Sequence, residues 1–547
     1  MTYLGNVAAQ PVRGFGIVVG LGDKGSGDCP TAIRQYLVES MMKVRETWAS
    51  LEERRRFSPD ELIESRSTAV VEVLGVVPPG ARKGTTFDLL VRAIPGTATQ
   101  SLAGGLLLPC ELHLPGPTGT QEELLGTQVV ARAAGPVFID PFGGGDREGG
   151  KGDPRRGLVL GGGQTLDSRN LRLVLREPSY PLARRLENRI NERFGQRPPT
   201  SEAMSRGYLN VQLAEAYATE RDRFIRLLPY LYLESHPAFI ETQLRELSRL
   251  VTAPGADYER IALAWEGIGR TALPHIQPLY SHATPQIRYY AARVGLRLED
   301  VTALPVLAEL AAGSDRALAL PAIYELGRCR LPAAALALRP LLDSPDRQVR
   351  LAAYGALLNH PEQPGVSSQR FPHPLDPMQL NLVLDLVESS GDPLIYVSRT
   401  RMPRIAVFAR ELPLVLPMFY SDADDTVTLT AADSSGDITV FIKRRGKLSD
   451  PILVAPRVVD LIAALADRPT MDNLGRPRGA GLPYSEVVQI LSALCRDGTI
   501  PAELEVEPIS LADLLGPAAR PERPETDEPA ESQVPQPPSA PDHAPGQ

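Results

Sequence analysis

A block of short helical patterns separates two strand-rich parts of this 547-residue chain. Between residues 237 and 366, apolar residues recur at helical spacing and each pattern ends at a turn-forming residue, which is typical of successive amphipathic helices. Runs rich in β-branched residues precede and follow the block. We therefore expect an α+β protein with mixed-sheet domains at both ends and an all-α segment inserted between them. The helical patterns are FIETQLRELSRLV, DYERIALAWEGIG, TPQIRYYAARVGLRL, ALPVLAELAAG, RALALPAIYELG, AAALALRPLLDS and DRQVRLAAYGALL.

The helical block repeats itself with a period of about 30 residues. Each unit is a polar turn followed by an arginine-bearing helix, and the last one, LDSPDRQVRLAAYGALL, resembles the HEAT repeat. Asp346, Val349 and Arg350 match the turn and the Val-Arg opening of that repeat. This resemblance implies a solenoid whose concave face binds another protein, which the sequence does not identify. Because repeats contact mainly their neighbours, we expect the N-terminal part to stay folded when residues 237–366 are excised.

Composition changes place the remaining boundaries. We predict domains at 1–145 and 146–236 before the helical block and at 367–515 after it. Residues 143–163, GGGDREGGKGDPRRGLVLGGG, are so rich in glycine that we expect a mobile loop interrupted by one short strand. Residues 516–547 contain nine prolines and few large apolar side chains. Such a segment cannot offset the entropy cost of ordering, so a disordered tail is predicted there.

The stretch RGFGIVVGLGDKGSGD, residues 13–28, raises the question of a phosphate-binding loop. Its glycines follow the spacing GxGxxxG rather than the dinucleotide fingerprint GxGxxG, and Lys24 precedes glycine rather than serine or threonine. Asp23 and Asp28 stand just before a predicted helix, where acidic side chains suit the helix dipole and repel phosphate. The pattern therefore favours a structural turn over a phosphate site.

Charge and cysteine usage restrict the function classes. The net charge of -8 disfavours a nucleic-acid partner, because such surfaces neutralise phosphates with Lys and Arg. The four cysteines are far apart and form no CxxC pair, so both free thiols and one or two disulfides remain open. The seven histidines show no zinc-ligand spacing. The cysteines are Cys29, Cys110, Cys329 and Cys495.

The sequence contains no recognisable catalytic constellation. His113, His236, His275, His282 and His360 stand in contexts that predict surface or capping roles. We therefore predict no catalytic, cofactor-binding or metal-binding residue, no cofactor, and a protein that is not an enzyme. The sequence contains no run of about 18 apolar residues, so no membrane-spanning helix is predicted. The start, MTYLGNVAAQPVRG, lacks the basic and apolar regions of a secretory signal, so on its own it predicts a cytoplasmic protein.

Four blocks, taken in order, resemble the family of flagellar basal-body P-ring proteins. They cover most of residues 12–234 and about 485–507, and their common order makes the resemblance specific. The blocks are RGFGIVVGLGDKGSGD, VVPPGARKGTTFDLLVRAIPGTATQSLAGGLLL, RNLRLVLREPSYPLARRLENRINERFG and SEVVQILSALCRDGTIPAELEVE.

This resemblance implies a non-enzymatic, periplasmic subunit of a homo-oligomeric ring. Such a ring surrounds the flagellar rod as a bushing, lies near peptidoglycan and contacts the L ring. By position, Arg82 and Lys83 are candidates for a surface that faces the rod or a neighbouring subunit; the alternative for both is a solvated turn. Ring closure needs head-to-tail contacts, which ring-forming domains at both ends of the chain would supply.

Three features depart from the family pattern. The family is exported with a cleaved signal peptide, which is not visible here, and both the helical block and the proline-rich tail are additional. These departures leave a second function class open. The alternative is a scaffold or adaptor that uses P-ring-like domains and helical repeats to bind a protein outside a flagellum.

Overall fold

The structure is a computed structural model that describes residues 2–509, apart from 45–57, 116–127, 144–152, 235, 423–424, 433–435, 445–446 and 473–474. Its described part combines several sheets with one helical block, which confirms the α+β class. The predicted tail, 516–547, lies outside the described residues.

The N-terminal strands build a closed barrel. The first seven strands are β1 (Thr2–Gly5), β2 (Gln10–Val19), β3 (Thr68–Val77), β4 (Thr86–Ala93), β5 (Leu106–His113), β6 (Val129–Pro136) and β7 (Arg156–Thr165). Six of them close in the order β2-β3-β4-β7-β6-β5, and every neighbouring pair is antiparallel. Closure leaves no strand edge unpaired.

Strand β3 is apolar on both faces because the barrel has a filled interior and a helical cover. Val71 and Val73 pack inside the barrel, whereas Val70 packs outside it, beneath α1 (Thr31–Val44) and α2 (Pro59–Glu64). A strand buried on both faces appears in the sequence as a continuous apolar run, here TAVVEVLGVV, rather than as an alternation. The helix predicted after the glycine-rich opening is confirmed as α1.

The structure corrects the prediction for residues 143–163. Residues 156–165 form the ten-residue strand β7, which includes the glycines expected to be a loop; 144–152 lie outside the described residues. The glycines are needed because the barrel wall is tight: a Cβ on Gly163 would lie 2.5 Å from the Phe87 ring. Because β6 and β7 are neighbours in this barrel, the predicted boundary between 145 and 146 falls inside one folded unit.

A small sheet covered by helices follows the barrel. Its elements are β8 (Leu171–Leu175), α3 (Tyr180–Phe194), β9 (Ser201–Ala203), β10 (Tyr208–Val211) and α4 (Arg221–Leu227). The sheet order is β1-β8-β10-β9, so the first strand of the chain belongs here. Helix α3 is capped at both ends: the Ser179 side chain accepts from the Leu182 amide, and Gly195 follows the last turn. We call residues 166–234, with β1, the linker unit.

The helical block spans eight helices, joined by 3-10 turns. They are α5 (Pro237–Val251), α6 (Tyr258–Ile268), α7 (Leu273–Ile276), α8 (Pro285–Arg297), α9 (Leu304–Ala311), α10 (Arg316–Arg328), α11 (Pro332–Leu338) and α12 (Arg347–Leu357). Asp257, Asp315 and Asp346 cap α6, α10 and α12 by accepting from backbone amides, as acidic turn residues should. Helices that follow one another pack together, and α8, α10 and α12 lie side by side. The likeness to HEAT repeats stays a prediction.

The chain then returns to strands. Two five-stranded sheets and one two-stranded sheet follow. The first has the order β11-β12-β14-β13-β22 with parallel and antiparallel pairs, the second is an antiparallel sheet of β15 to β19, and β20 pairs with β21. Helices α13 and α14 pack on these sheets in one core. The elements are β11 (Val366–Pro372), β12 (Leu380–Val387), β13 (Leu394–Val397), β14 (Arg404–Phe408), β15 (Met418–Ser421), β16 (Val427–Ala431), β17 (Ile438–Arg444), β18 (Lys447–Leu448), β19 (Ile452–Val454), α13 (Val458–Ala466), β20 (Thr470–Met471), β21 (Pro477–Arg478), α14 (Tyr484–Arg496) and β22 (Glu503–Val506).

Candidate assembly surface

The glycine-rich opening forms a loop at one end of the barrel. After β2 the chain runs alongside residues 64–68, and the Ser26 amide donates to the Thr68 carbonyl at 2.8 Å. A Cβ on Gly25 would lie 2.3 Å from the Thr68 carbonyl oxygen. Glycine is therefore required here so that two backbone segments can touch.

Replacing Gly25 with alanine should lower the free energy of unfolding of the barrel by about 2 kcal/mol, because only backbone atoms surround the new methyl group and they cannot rotate away. Gly355→Ala is the control, since a Cβ at Gly355 meets nothing within 4 Å. Calorimetric melting of both variants tests this expectation. Equal melting temperatures for the two variants would contradict the close packing of the loop.

Asp28 ties the opening loop to residues 94–105. Its carboxylate accepts from the Ser26 hydroxyl at 2.6 Å and from the Ala98 amide at 2.9 Å, and these two donors lower the pKa of Asp28. The Gln100 amide donates to the Lys24 carbonyl at 2.8 Å, which makes a second link. We call residues 20–30 together with 94–105 the barrel rim. The acidic residue is thus a structural part of a turn, as the sequence favours.

Arg82 and Lys83 lie in the turn between β3 and β4, and the structure gives them different surroundings. Arg82 is half-buried, and its Nε donates to the Leu213 carbonyl of the linker unit at 2.9 Å. The side chain of Lys83 is exposed, while its amide donates to the Ser168 hydroxyl at 3.0 Å. Arg82 therefore helps to hold the barrel on the linker unit, and Lys83 presents the exposed charge of the pair.

A buried carboxylate joins the linker unit to the helical block. Glu266 of α6 is fully buried, forms an ion pair with Arg223 of α4 and accepts from the Tyr217 hydroxyl at 2.7 Å. Burial alone would raise the pKa of Glu266, but the charges of Arg223 and Arg297 and the two hydrogen bonds outweigh it and lower the pKa to about 2. The carboxylate is therefore ionised and fully neutralised in the fold.

A second buried carboxylate, Glu220, repeats this arrangement nearby. Arg297 of α8 donates to both of its oxygens at 2.9 Å, and Arg328 of α10 adds a further ion pair. Burial opposes the ionisation of Glu220, yet the paired guanidiniums lower its pKa below the ordinary value. Arg297 also contacts Glu325 at 2.7 Å. We call Glu220, Glu266, Arg223 and Arg297 the charge joint.

The barrel also packs directly on the C-terminal sheets. Phe138 lies in the same core as Tyr484, with ring centroids 5.1 Å apart, and Asp140 forms an ion pair with Arg399. Asp88 of β4 accepts from the Arg401 amide at 2.9 Å. The barrel is therefore held on two sides, by the linker unit and by the C-terminal sheets.

The histidines and cysteines partly follow the predictions. His236 and His282 accept from amides two residues ahead, which confirms capping roles, and His275 contacts Glu241 at 3.1 Å. The prediction was wrong for His113 and His360, which are buried, because Tyr36 and a backbone carbonyl supply partners inside the fold. The four cysteines are free thiols.

The described residues offer neither a metal-binding cluster nor a helix suited to a membrane. Within the described ranges, no group of three or more His, Cys, Asp or Glu side chains is placed to hold a metal ion. In the same part of the chain, every helix is too short or too polar to cross a membrane.

The charge joint was missed by the sequence analysis. Its local signal is a single acidic residue in the apolar run of α6, RIALAWEGI, where residues 261–268 are all buried. A lone charge in a buried helix needs a partner of opposite charge. The sequence does not say where that partner stands, and Arg223 lies on another element.

Comparisons with known proteins concern the N-terminal part. Residues 1–238 match the family model of flagellar P-ring proteins, which confirms the resemblance for the barrel and the linker unit. The matched range ends where α5 begins, and the block at 485–507 lies beyond it.

Curated relatives also match less than half of this chain. The flagellar P-ring protein of Geobacter metallireducens is 32% identical over 221 residues, which are 39% of this chain and 54% of the relative. That of Caulobacter vibrioides is 32% identical over 199 residues, 34% of this chain and 48% of the relative. That of Anaeromyxobacter dehalogenans is 31% identical over 245 residues, 40% of this chain and 60% of the relative. This chain thus spans about half the length of the relatives it matches.

One solved structure matches part of this chain. Human deoxyhypusine hydroxylase in complex with glycerol covers 26% of this chain and 56% of its own at 22% identity, with a TM-score of 0.20. A likeness of this size supports no argument about fold or function.

Proposed function

We propose that this chain, whose residues 1–238 match the flagellar P-ring proteins, is a structural, non-enzymatic subunit of the flagellar P ring. In this proposal many copies close into a periplasmic ring that surrounds the motor rod as a bushing, contacts the L ring and lies against peptidoglycan. The observation that carries the proposal is the family match over the whole barrel and linker unit.

The geometry supports a rigid building part. Because each barrel strand has a neighbour on both sides, the barrel itself offers no edge for strand addition, whereas the sheet of the linker unit is open and ends at β1 and β9. Contacts made by the barrel must then use loops and exposed side chains, such as the barrel rim and the turn that presents Lys83. Head-to-tail contacts between two different surfaces of this kind can close a ring.

The helical block would add a second binding surface to this ring. Its HEAT-like character is part of the proposal, as is a protein partner on its concave face. The charge joint fixes the block to the linker unit, so a partner bound there would be held at a defined position on the ring.

The direct test is the protein content of flagellar basal bodies purified from the source cells. Mass spectrometry should recover this chain in amounts that match a ring of many copies, and its N-terminal peptide will show whether a segment has been removed. Intact basal bodies that lack the chain would overturn the proposal in favour of a scaffold or adaptor outside the flagellum.

Reversing the charge of Lys83 tests its assignment to an assembly contact. Lys83→Glu should reduce recovery of the chain in basal bodies about fivefold, the effect of losing roughly 1 kcal/mol at a contact surface. Lys443→Glu is the matched control, because Lys443 is also exposed but lies on β17, outside the family match. Equal recovery of both variants would assign Lys83 to a solvated turn.

A further inference from the structure

A cleft of about 310 Å³ opens where the barrel meets the C-terminal sheets. The end of β6 and the middle of β7 form one wall, and residues of β11, β12 and the β13–β14 turn form the other. Neither the ring proposal nor the family match assigns a role to this cleft. Its lining is largely apolar but includes two arginines, whose charge indicates what it binds.

Arg401 is held at the cleft in a conformation that non-glycine residues rarely adopt. Its φ is +59°, and its amide donates to both carboxylate oxygens of Asp88 at 2.9 Å. Asp88 also accepts from the Gly161 amide at 2.6 Å. These contacts fix the backbone of Arg401 although its left-handed conformation is strained. The barrel thus determines where this arginine stands.

The cleft has two exposed cations. Arg401 and Arg370, on β11, both line the cleft and are exposed. Within the described ranges neither arginine is in an ion pair, although the charge of Arg401 acts on Asp88 and opposes the rise in the pKa of that carboxyl that burial causes. Two arginines at one cleft favour a ligand that carries carboxylates.

Asn381 adds an unpartnered acceptor to the same cleft. This residue is 1% exposed, and its Nδ2 donates to the Leu482 carbonyl at 2.9 Å and to the Ala466 carbonyl at 3.4 Å. Its Oδ1 has no hydrogen-bond partner in the described structure, which is costly for a buried acceptor. This acceptor lies beneath the surface of the cleft, so the two arginines are the groups that select a ligand.

The chain itself supplies an acidic peptide beside this cleft. The carboxylate of Glu507 accepts from the amides of Arg399 and Thr400 at 2.7 and 3.0 Å, next to Arg401. The described chain ends two residues later, at Ile509, which packs on the C-terminal core. Residues 510–547 can extend up to about 120 Å, far more than the cleft requires.

The composition of that segment complements the cleft. Residues 516–547 carry six acidic side chains against two arginines, and their nine prolines restrict the backbone before binding. We propose that the cleft binds residues 516–547 of the same chain, with their carboxylates on Arg370 and Arg401. The acidic side chains are Glu522, Glu525, Asp527, Glu528, Glu531 and Asp542.

Site-specific photo-crosslinking in the full-length chain tests this proposal. Met378 lines the cleft and is 80% exposed, so p-benzoylphenylalanine can replace it without disturbing the core. Irradiation followed by proteolysis and mass spectrometry should identify crosslinks to residues 516–547. Combining Arg370→Glu with Arg401→Gln should lower their yield about tenfold, and so should salt near 1 M, where the Debye length is about 3 Å.

Two controls decide the outcome. Arg410→Glu changes an exposed arginine that does not line the cleft and should leave the yield unchanged. A mixture of light and ¹⁵N-labelled chains should give crosslinks within single chains only. Crosslinks to other segments, crosslinks between light and labelled chains, an absence of crosslinks, or a yield insensitive to the cleft arginines would each overturn the proposal.

Discussion

Replacing Glu266 with glutamine should lower the free energy of unfolding at the charge joint by about 3 kcal/mol at neutral pH. The substitution removes the buried negative charge and leaves the guanidinium of Arg223, which is 12% exposed, with only the more distant Glu259 at 3.6 Å as an acidic partner. Trp265 stands next to Glu266 and is fully buried, so its fluorescence during urea unfolding reports on this joint. Trp48→Phe removes the other tryptophan of the chain and isolates the signal.

The pH dependence gives a second, independent measurement of the same effect. Folding lowers the pKa of Glu266 from 4.5 to about 2, so its stabilising contribution is complete above about pH 4.5 and is lost as the pH falls toward 2. The stability difference between the wild type and Glu266→Gln should therefore narrow over that range. A merely steric effect of the amide would not change with pH.

Matched variants separate the buried pair from surface charge. Glu246 pairs with Arg249 on the exposed face of α5, and Glu246→Gln should leave the free energy of unfolding nearly unchanged, because solvent screens this pair. Adding Arg223→Met to Glu266→Gln should restore part of the stability, because no buried charge is then left unpaired. If Glu266→Gln behaves like Glu246→Gln, the joint does not depend on its buried charge.

Local sequence patterns predicted the elements whose partners are near in the chain. Helix α3 follows from one apolar face, with Pro181 at its start and Gly195 as its stop, and the structure adds a cap by Ser179 that the prediction did not include. The strand from Thr68 to Val77 follows from its apolar run, which ends at a Pro-Pro-Gly turn. In each case the deciding interactions lie within a few residues, where periodicity and capping rules apply.

The rest depends on contacts between distant residues. Position 163 must be glycine in strand β7 because the ring of Phe87, its partner on the adjacent strand β4, occupies the space that a side chain would need. Likewise, Glu220 and Arg297 are far apart in sequence and meet only when α8 packs on the linker unit. From local sequence alone, Gly163 is predicted to lie in a glycine-rich loop, and Glu220 and Arg297 are predicted to be solvated charges.

Excising residues 237–357 and bridging the gap with a Gly/Ser linker should unfold the linker unit while the barrel persists. Leu263 of α6 belongs to the core that contains Phe224 and Leu227, so excision exposes that core. Glu220 and Tyr217 also lose their partners on the helices. The barrel has its own interior core, which the helices do not enter. The rule that repeats contact mainly their neighbours predicts instead that the linker unit stays folded.

Hydrogen exchange with mass spectrometry distinguishes these outcomes segment by segment. In the excised chain, amide protection in α3 should fall about 100-fold, which corresponds to roughly 3 kcal/mol, while β3 keeps its protection. A chain that lacks only residues 516–547 is the control and should keep protection in both elements. If α3 stays protected after excision, the linker unit folds without the helices, and the charge joint then contributes only to how the block is oriented. Loss of protection confined to α3 and α4 would instead mean that the linker unit needs the helical block to fold. The block supplies both the apolar cover and the charged partners that the linker unit lacks on its own.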